Sequence, residues 1–242
     1  MDTTVTFLTL SIIFLSAFVR SALGFGDALI AMPLLVLLVG AATATPVVAF
    51  NASTIAALIL LRAWPGVDVK AAWRLVLSTL VGIPIGLVFL RAAPEWAVNG
   101  VLGLVLIGFG VYNLLALRLP YLESERFAPL FGLAAGVLGG AYNTNGPPVI
   151  IYSVLRRWDP QRFRATLQGY FLPTGGMILL SHGLAGLWTA QAVRLYLYGL
   201  PFVVAGVVIG GVVHRRVSGE RFKQAVYAFL VVTGAALVIG SF

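Results

Sequence analysis

The sequence predicts an all-α integral membrane protein made of two inverted-topology repeats. Each repeat is a broken or re-entrant helical hairpin, its arms either full spans or helices that meet near the midplane, followed by three transmembrane helices, about 8–10 membrane segments in all. Three observations lead there. Of 242 residues, 60% are hydrophobic and only 10% charged, with a mean hydropathy of +1.00. Soluble domains carry about 25% charged residues, so lipid must be the solvent for much of this chain. The apolar segments also repeat, and equivalent loops in the two copies have opposite charge character.

Segment one, Thr3–Leu23, matches the roughly 20 residues a spanning helix needs. The start, Met1-Asp2-Thr3-Thr4, is acidic and lacks the basic region of a cleaved leader, so this run is expected to stay in the membrane domain. A break, Gly24-Phe25-Gly26-Asp27, leads to a short segment two, Ala28–Val39. Segments three to five are Thr43–Leu61, Val69–Leu90 and Trp96–Leu117, and the polar linker 118–126 is the natural midpoint. Segment six, Phe127–Leu138, ends in the stretch Gly139-Gly-Ala-Tyr-Asn-Thr-Asn-Gly-Pro-Pro148, which combines helix breakers with amides that lipid does not satisfy. A short segment seven, Val149–Leu155, follows, then Phe163–Leu180, Ala190–Val213 and Phe222–Phe242.

Both halves therefore read long, break, short, then three spans. Residues 23–34 lie over 138–149 without a gap, Ala56–Leu61 over Gly175–Leu180, and Ala72–Leu75 over Ala192–Leu195. The Gly82/Gly86 spacing recurs as Gly206/Gly210. The expected organisation is one membrane domain, 1–242, with repeat 1 (1–117) and repeat 2 (127–242) joined by the linker 118–126.

Loop charges orient the copies. The connection after segment two is neutral, whereas its counterpart after segment seven carries Arg156, Arg157, Arg162 and Arg164. Arg62, Lys70 and Arg74 follow segment three, against only His182 after segment eight. Arg91 and Glu95 follow segment four, against His214, Arg215, Arg216, Arg221 and Lys223 after segment nine. Cytoplasmic loops collect Lys and Arg, so the halves are expected to sit upside down relative to one another. The three-four, seven-eight and nine-ten connections and the linker then face the cytoplasm, both termini face outside, and the two hairpins enter from opposite sides.

The formal charge of +8 sits mostly in these short connections, which speaks for membrane orientation and against nucleic acid. With no cysteine, disulfides, thiolate chemistry and sulfur-ligated metals are excluded. His182 and His214 lack metal-ligand spacing, no P-loop occurs, and Gly24-Phe-Gly26 lacks the rest of a dinucleotide fingerprint. No cofactor and no catalytic set is expected, and the chain is not read as an enzyme.

The chemistry is expected at the two breaks. Glycines there (Gly24, Gly26, Gly139, Gly140 and Gly146) let the backbone turn and approach a ligand. A helix starting near Asn145-Gly146 would present backbone N–H groups and a positive dipole end, which bind anions without a charged side chain. Asn143, Thr144 and Asn145 add neutral donors. The plainer alternative is a packing kink. Asp27 is expected to cap the helix that follows, with proton or cation binding as the alternative. Asn51, Ser53 and Thr54 against Gln168, Tyr170 and Thr174 form a second polar set, either facing the hairpin tips or bonding between helices. Arg20 and Arg194 are cations that topology leaves unexplained, and either could draw an anion inward; if segment one spans fully, Arg20 is an ordinary interfacial residue. Gly24, Gly26, Asp27, Asn51, Asn143, Thr144, Asn145, Gly146, Gln168 and Tyr170 are thus the candidate substrate-binding residues.

The chain resembles the TauE/SafE sulfite-exporter family of bacterial membrane transporters. The resemblance is carried by Gly24-Phe-Gly26 through Pro33, by Gly139-Gly140 through Gly146-Pro147-Pro148, and by the helices of Gly82 and Gly206, and it covers nearly the whole chain. It implies a multi-pass protein of the bacterial inner membrane that moves small sulfur anions or organosulfonates such as sulfite, thiosulfate or sulfoacetate, commonly outward. Some relatives that take up thiosulfate use cysteine; its absence here argues against that mechanism. The expected function is secondary transport, as an exporter, of sulfite or a related anion by alternating access about a midplane site. The expected partners are the anion, the lipid bilayer and a coupling proton or sodium ion. The alternatives are an anion channel or an importer of a similar anion.

Overall fold

The computed structural model describes residues 3–63, 66–116, 120–216 and 220–240. These form ten α-helices: α1 (Thr3–Leu23), α2 (Asp27–Val39), α3 (Ala41–Ala63), α4 (Val69–Ala92), α5 (Glu95–Leu114), α6 (Ala128–Tyr142), α7 (Gly146–Leu155), α8 (Pro160–Leu184), α9 (Ala190–Arg216) and α10 (Glu220–Ile239). A 3-10 turn, Glu125–Phe127, leads into α6. Arg118 and Leu119 of the linker, the 217–219 part of the nine-ten connection, and the last two residues of segment ten lie outside the described residues.

Each helix follows from its local chemistry. The Asp68 carboxylate caps α4 by accepting from the Ala71 N–H at 3.1 Å. Pro160 opens α8, where a missing N–H is harmless. Among the described residues, α1, α3, α4, α5 and α9 are long and apolar enough to cross a membrane. At about 1.5 Å per residue, the 13 residues of α2 and the 10 of α7 give roughly 20 and 15 Å, well short of a hydrocarbon core of about 30 Å.

One expected boundary is wrong. Segment six does not end at Leu138 but continues as α6 to Tyr142, so Gly139 and Gly140 are helical and the break is Asn143–Asn145. The first break, Gly24–Gly26, therefore corresponds to Asn143–Asn145, one helical turn beyond the gapless match of Gly24 with Gly139. Gly139 and Gly140 are there for thinness. A Cβ on Gly140 would run into the Ile83 carbonyl, and one on Gly139 would come within 2.9 Å of Ile178.

α3 and α8 pack against each other at the centre, with Ala44, Val47, Ile55, Leu167, Tyr170 and Ile178 fully buried. The outer helices turn apolar side chains outward: Leu77, Val81, Ile85 and Val88 on α4, and Leu197, Val204 and Val208 on α9. In water such a surface would be a liability; facing acyl chains it is the expected lipid contact. Two contacts are nearly backbone to backbone. α4 lies on α6 through Gly82, Gly86, Gly132, Gly136 and Gly140, and α9 lies on α1 through Gly206 and Gly210.

Three connections meet at one end of the molecule. Arg74 at the start of α4 pairs with Glu125 of the linker, whose other carboxylate oxygen lies 3.6 Å from Arg156. Arg156 also donates to the carbonyls of Leu122 (2.8 Å) and Glu123 (2.5 Å). The Asp68 N–H donates to the Thr166 hydroxyl at 3.0 Å. The three-four connection, the linker and the seven-eight connection thus share a face.

A Cβ on Gly136 would clash with the backbone of Thr79 and Gly82. Gly136→Leu is therefore expected to lose about 1–3 kcal/mol or more, lowering the unfolding temperature in detergent by about 5 °C or more. Gly108→Ala, which enters open space, should leave it unchanged or slightly raised.

Candidate functional site

The first hairpin turns because two glycines take up left-handed backbone, Gly24 at φ +92° and Gly26 at φ +102°. In the second hairpin that role falls to Asn143 (φ +54°), the residue type that tolerates it best after glycine. Its N–H donates to the Gly139 carbonyl at 2.7 Å, and the Thr144 N–H to Leu138 at 3.2 Å, closing α6. The Thr144 hydroxyl donates to the Tyr142 carbonyl.

Both turns open onto one tight cleft of about 20 Å³, roughly the room that one water needs. It is lined by Arg20, Phe25, Gly26, Asp27, Ala28 and Leu29 from the first hairpin and by Asn143, Thr144, Asn145 and Gly146 from the second. Ala52 of α3 and Phe171 and Gly175 of α8 complete it. These last residues sit near the middle of their helices.

Arg20 and Asp27 are the charged side chains of the lining, and they pair with each other. Arg20 Nη1 donates to Asp27 Oδ2 at 2.7 Å, with the two side chains 2% and 10% exposed. At such burial each charge requires the other, since removing one partner of a buried pair costs about 3–5 kcal/mol. Arg20 Nη2 donates to Gln168 Oε1 at 3.0 Å, and the Gln168 amide donates to the Gly24 carbonyl at 2.7 Å. The guanidinium carbon stands 4.7 Å from the centre of the Phe171 ring. Arg20 Nε is buried without a partner. Arg20 is thus not an ordinary interfacial residue.

Asp27 does not cap α2 as expected. It is the first residue of the helix, Gly26 occupies the cap position, and no side-chain cap bond forms. Its carboxylate faces the Arg20 guanidinium instead, a stronger partner than a backbone N–H. By helix geometry the N–H groups of Ala28 and Leu29, both lining the cleft, have no intrahelical acceptor. α7 begins at Gly146 as expected, but Pro147 and Pro148 remove two of its first donors, leaving Gly146 and Val149. The α2 end is the richer of the two.

The other candidates fall around the cleft or away from it. Asn145 lines it and donates to the Thr174 hydroxyl at 3.2 Å, which in turn donates to the Tyr170 carbonyl. Gln168 and Gly24 lie behind Arg20. Tyr170 is fully buried with its hydroxyl 2.8 Å from that of Thr79, and it does not reach the cleft. Asn51 is buried with Oδ1 unpartnered, but Ala52, next to it, is the α3 residue that lines the cleft. Ser53 Oγ is likewise buried without a partner, and Thr54 meets Tyr196 at 2.9 Å. Arg194 lies in a separate depression with Thr6, Gln191, Leu195 and Tyr198. Sequence reading missed Phe25, Phe171, Ala52 and Gly175, since aromatic and small residues abound in this chain. The Arg20–Asp27 pairing had a fainter signal, two opposite charges flanking one break.

No curated protein and no solved structure matches the chain. The family model described as "Sulfite exporter TauE/SafE" matches residues 9–237. The family is one of membrane transporters, not enzymes, and its members move sulfur anions such as sulfite. The match takes in α2 to α9, most of α1 and α10, both breaks and the cleft between them, and the chain belongs to the sulfite exporter TauE/SafE family.

Proposed function

We propose that the chain is a secondary transporter that exports sulfite, or a closely related sulfur oxoanion or sulfonate, by alternating access about the cleft between the two breaks. The observation that carries this reading is the meeting of both hairpin turns around a buried guanidinium. An oxoanion there would find planar N–H donors from Arg20, backbone donors at the start of α2, and the amides of Asn143 and Asn145.

An inverted repeat is part of the proposal. Exchanging α1–α5 for α6–α10 turns the packing of α1 on α9 into that of α6 on α4, and of α3 on α9 into that of α8 on α4. The same exchange maps the α3–α8 and α5–α10 contacts onto themselves. The shared face of the charged connections supports the corresponding topology, with those connections in the bacterial cytoplasm.

Two measurements test this. In proteoliposomes, Asn145→Ala removes the bond to Thr174 and should slow sulfite flux by about threefold to tenfold. Gly146→Leu projects a side chain toward Phe171 and should slow it by more than about tenfold. Unchanged flux in both would remove this site from the pathway. Because the chain lacks cysteine, single cysteines can also be placed along Gly24–Pro33 and Gly139–Pro148. Labelling of the two stretches from opposite faces, protected by sulfite, is expected; labelling of both from the same face would overturn the inverted arrangement.

A further inference from the structure

We propose that Gln168 is a stand-in ligand for Arg20. It holds the guanidinium while the site is empty, the incoming oxoanion displaces it, and the same step frees the first hairpin turn from α8. This rests on the transport reading above and deepens it. Gln168 then gives up its place to the substrate instead of binding it.

A guanidinium offers an oxoanion two parallel N–H bonds along one edge. Its own Cδ blocks the edge of Nε and Nη1. Asp27 holds Nη1 at 2.7 Å, and with side chains 2% and 10% exposed that pair is too buried to separate without leaving a lone charge. The edge left for an anion is Nε with Nη2. Nε is buried without a partner, and Nη2 donates to Gln168 Oε1 at 3.0 Å. A neutral amide oxygen thus stands at one end of that edge, and nothing fills the other. Room decides what happens next. The cleft holds about one water, so sulfite, a sulfur with three oxygens, does not fit beside the guanidinium unless a neighbour gives way. Gln168 is the neighbour bonded to Nη2. A charged oxygen binds a guanidinium more strongly than an amide oxygen does, and the anion gains Nε as well. Arg20 keeps Asp27 throughout, so no buried charge is stranded.

The same amide makes a second bond. Its Nε2 donates to the carbonyl of Gly24 at 2.7 Å, and Gly24 is where the left-handed backbone of the first turn begins. Oε1 and Nε2 belong to one planar group, so withdrawing it from Arg20 disturbs both bonds. A ligand shifts a conformation only by binding its two states differently. Here the difference is built in, because the edge of Arg20 is complete for an anion only once Gln168 has left. One helical turn earlier on the same face of α8, Arg164 donates to the Ser21 carbonyl. The end of α1 therefore stays anchored, and the release is confined to Gly24–Gly26. The second turn has no such device. In the register that sets Ala56–Leu61 over Gly175–Leu180, the position of Gln168 falls on Ala49 of α3, which has no polar side chain.

The test uses the full-length protein in detergent, titrated with sulfite by calorimetry. Removing a stand-in should tighten binding, the reverse of what loss of a substrate ligand or of a structural contact gives. Gln168→Met keeps the volume and removes both hydrogen bonds, so its Kd for sulfite should fall about fivefold or more. Gln168→Ala should move the Kd the same way if the methionine packs badly. Gln168→Glu sets a charged acceptor on Nη2 and should raise the Kd about tenfold or more. Release of the turn is read separately by the labelling rate of Leu23→Cys, placed just before Gly24. Sulfite should speed that labelling about threefold or more, and with Gln168→Met added the fast rate should be present without sulfite. An unchanged or raised Kd in Gln168→Met or Gln168→Ala would overturn the proposal. So would labelling of Leu23→Cys that sulfite does not change. Absence of any sulfite binding or flux in the wild type would overturn the transport reading itself, a result distinct from both.

Discussion

Two helices of this protein, α2 and α7, are too short to cross a hydrocarbon core, and every backbone group freed at the breaks before them needs a partner that an apolar interior cannot supply. Much of the polar chemistry in the interior answers that need. Gln168 donates to the Gly24 carbonyl and Arg164 to the Ser21 carbonyl. A His182 ring nitrogen lies 3.1 Å from the carbonyl of Gly140, in the last turn of α6. Several of these side chains belong to α8, which explains why a 25-residue helix at the centre of a membrane domain is not among those apolar enough to count as a span by composition. α8 holds the first turn in place near its start and the second near its middle.

The two turns answer the same backbone problem with different electrostatics. The first carries Arg20 and Asp27. In the break register the second places Gly139 and Gly146 at those positions, so its charge there is zero. Its polarity comes from the amides of Asn143 and Asn145, held by Thr174 and by closure of α6. A buried pair on one side and neutral donors on the other leave the empty cleft without net charge. A second pair would have added another desolvation penalty of several kcal/mol per ion.

Composition alone shows the membrane class, because a tenth of the residues charged cannot cover a wet surface. The first turn was also legible, since Gly24 and Gly26 stand where left-handed backbone is needed. The second was misplaced by one turn because glycine serves two ends that sequence does not separate. It relieves positive φ, and it thins a helix for close contact. Gly139 and Gly140 do the second, while Asn143 does the first. Arg20 and Asp27 were each visible as charges out of place, but their contact runs across a turn with no helical periodicity, so spacing could not predict it. Phe171 left no trace in an apolar chain, although it lies against the guanidinium.

The packing also constrains how any alternating motion divides the molecule. The first arm of each hairpin lies against a helix of the other half, α1 on α9 and α6 on α4, with glycines at backbone distance. Interfaces this close are bistable at best and do not slide by small amounts. Rocking repeat 1 as a body against repeat 2 would open both at once and expose helix backbone to lipid. A division that keeps α1 with α9 and α6 with α4 leaves them intact and places the moving boundary between the two turns, through the cleft. The contacts that must then change are those the cleft already interrupts: Arg20 and Gln168 across the first turn, Asn145 and Thr174 across the second. These are single hydrogen bonds, each worth about 0.5–1.5 kcal/mol, or somewhat more at the charged group, and a bound anion can exchange with them. The unit of motion is then set by glycine packing rather than by the order of the chain.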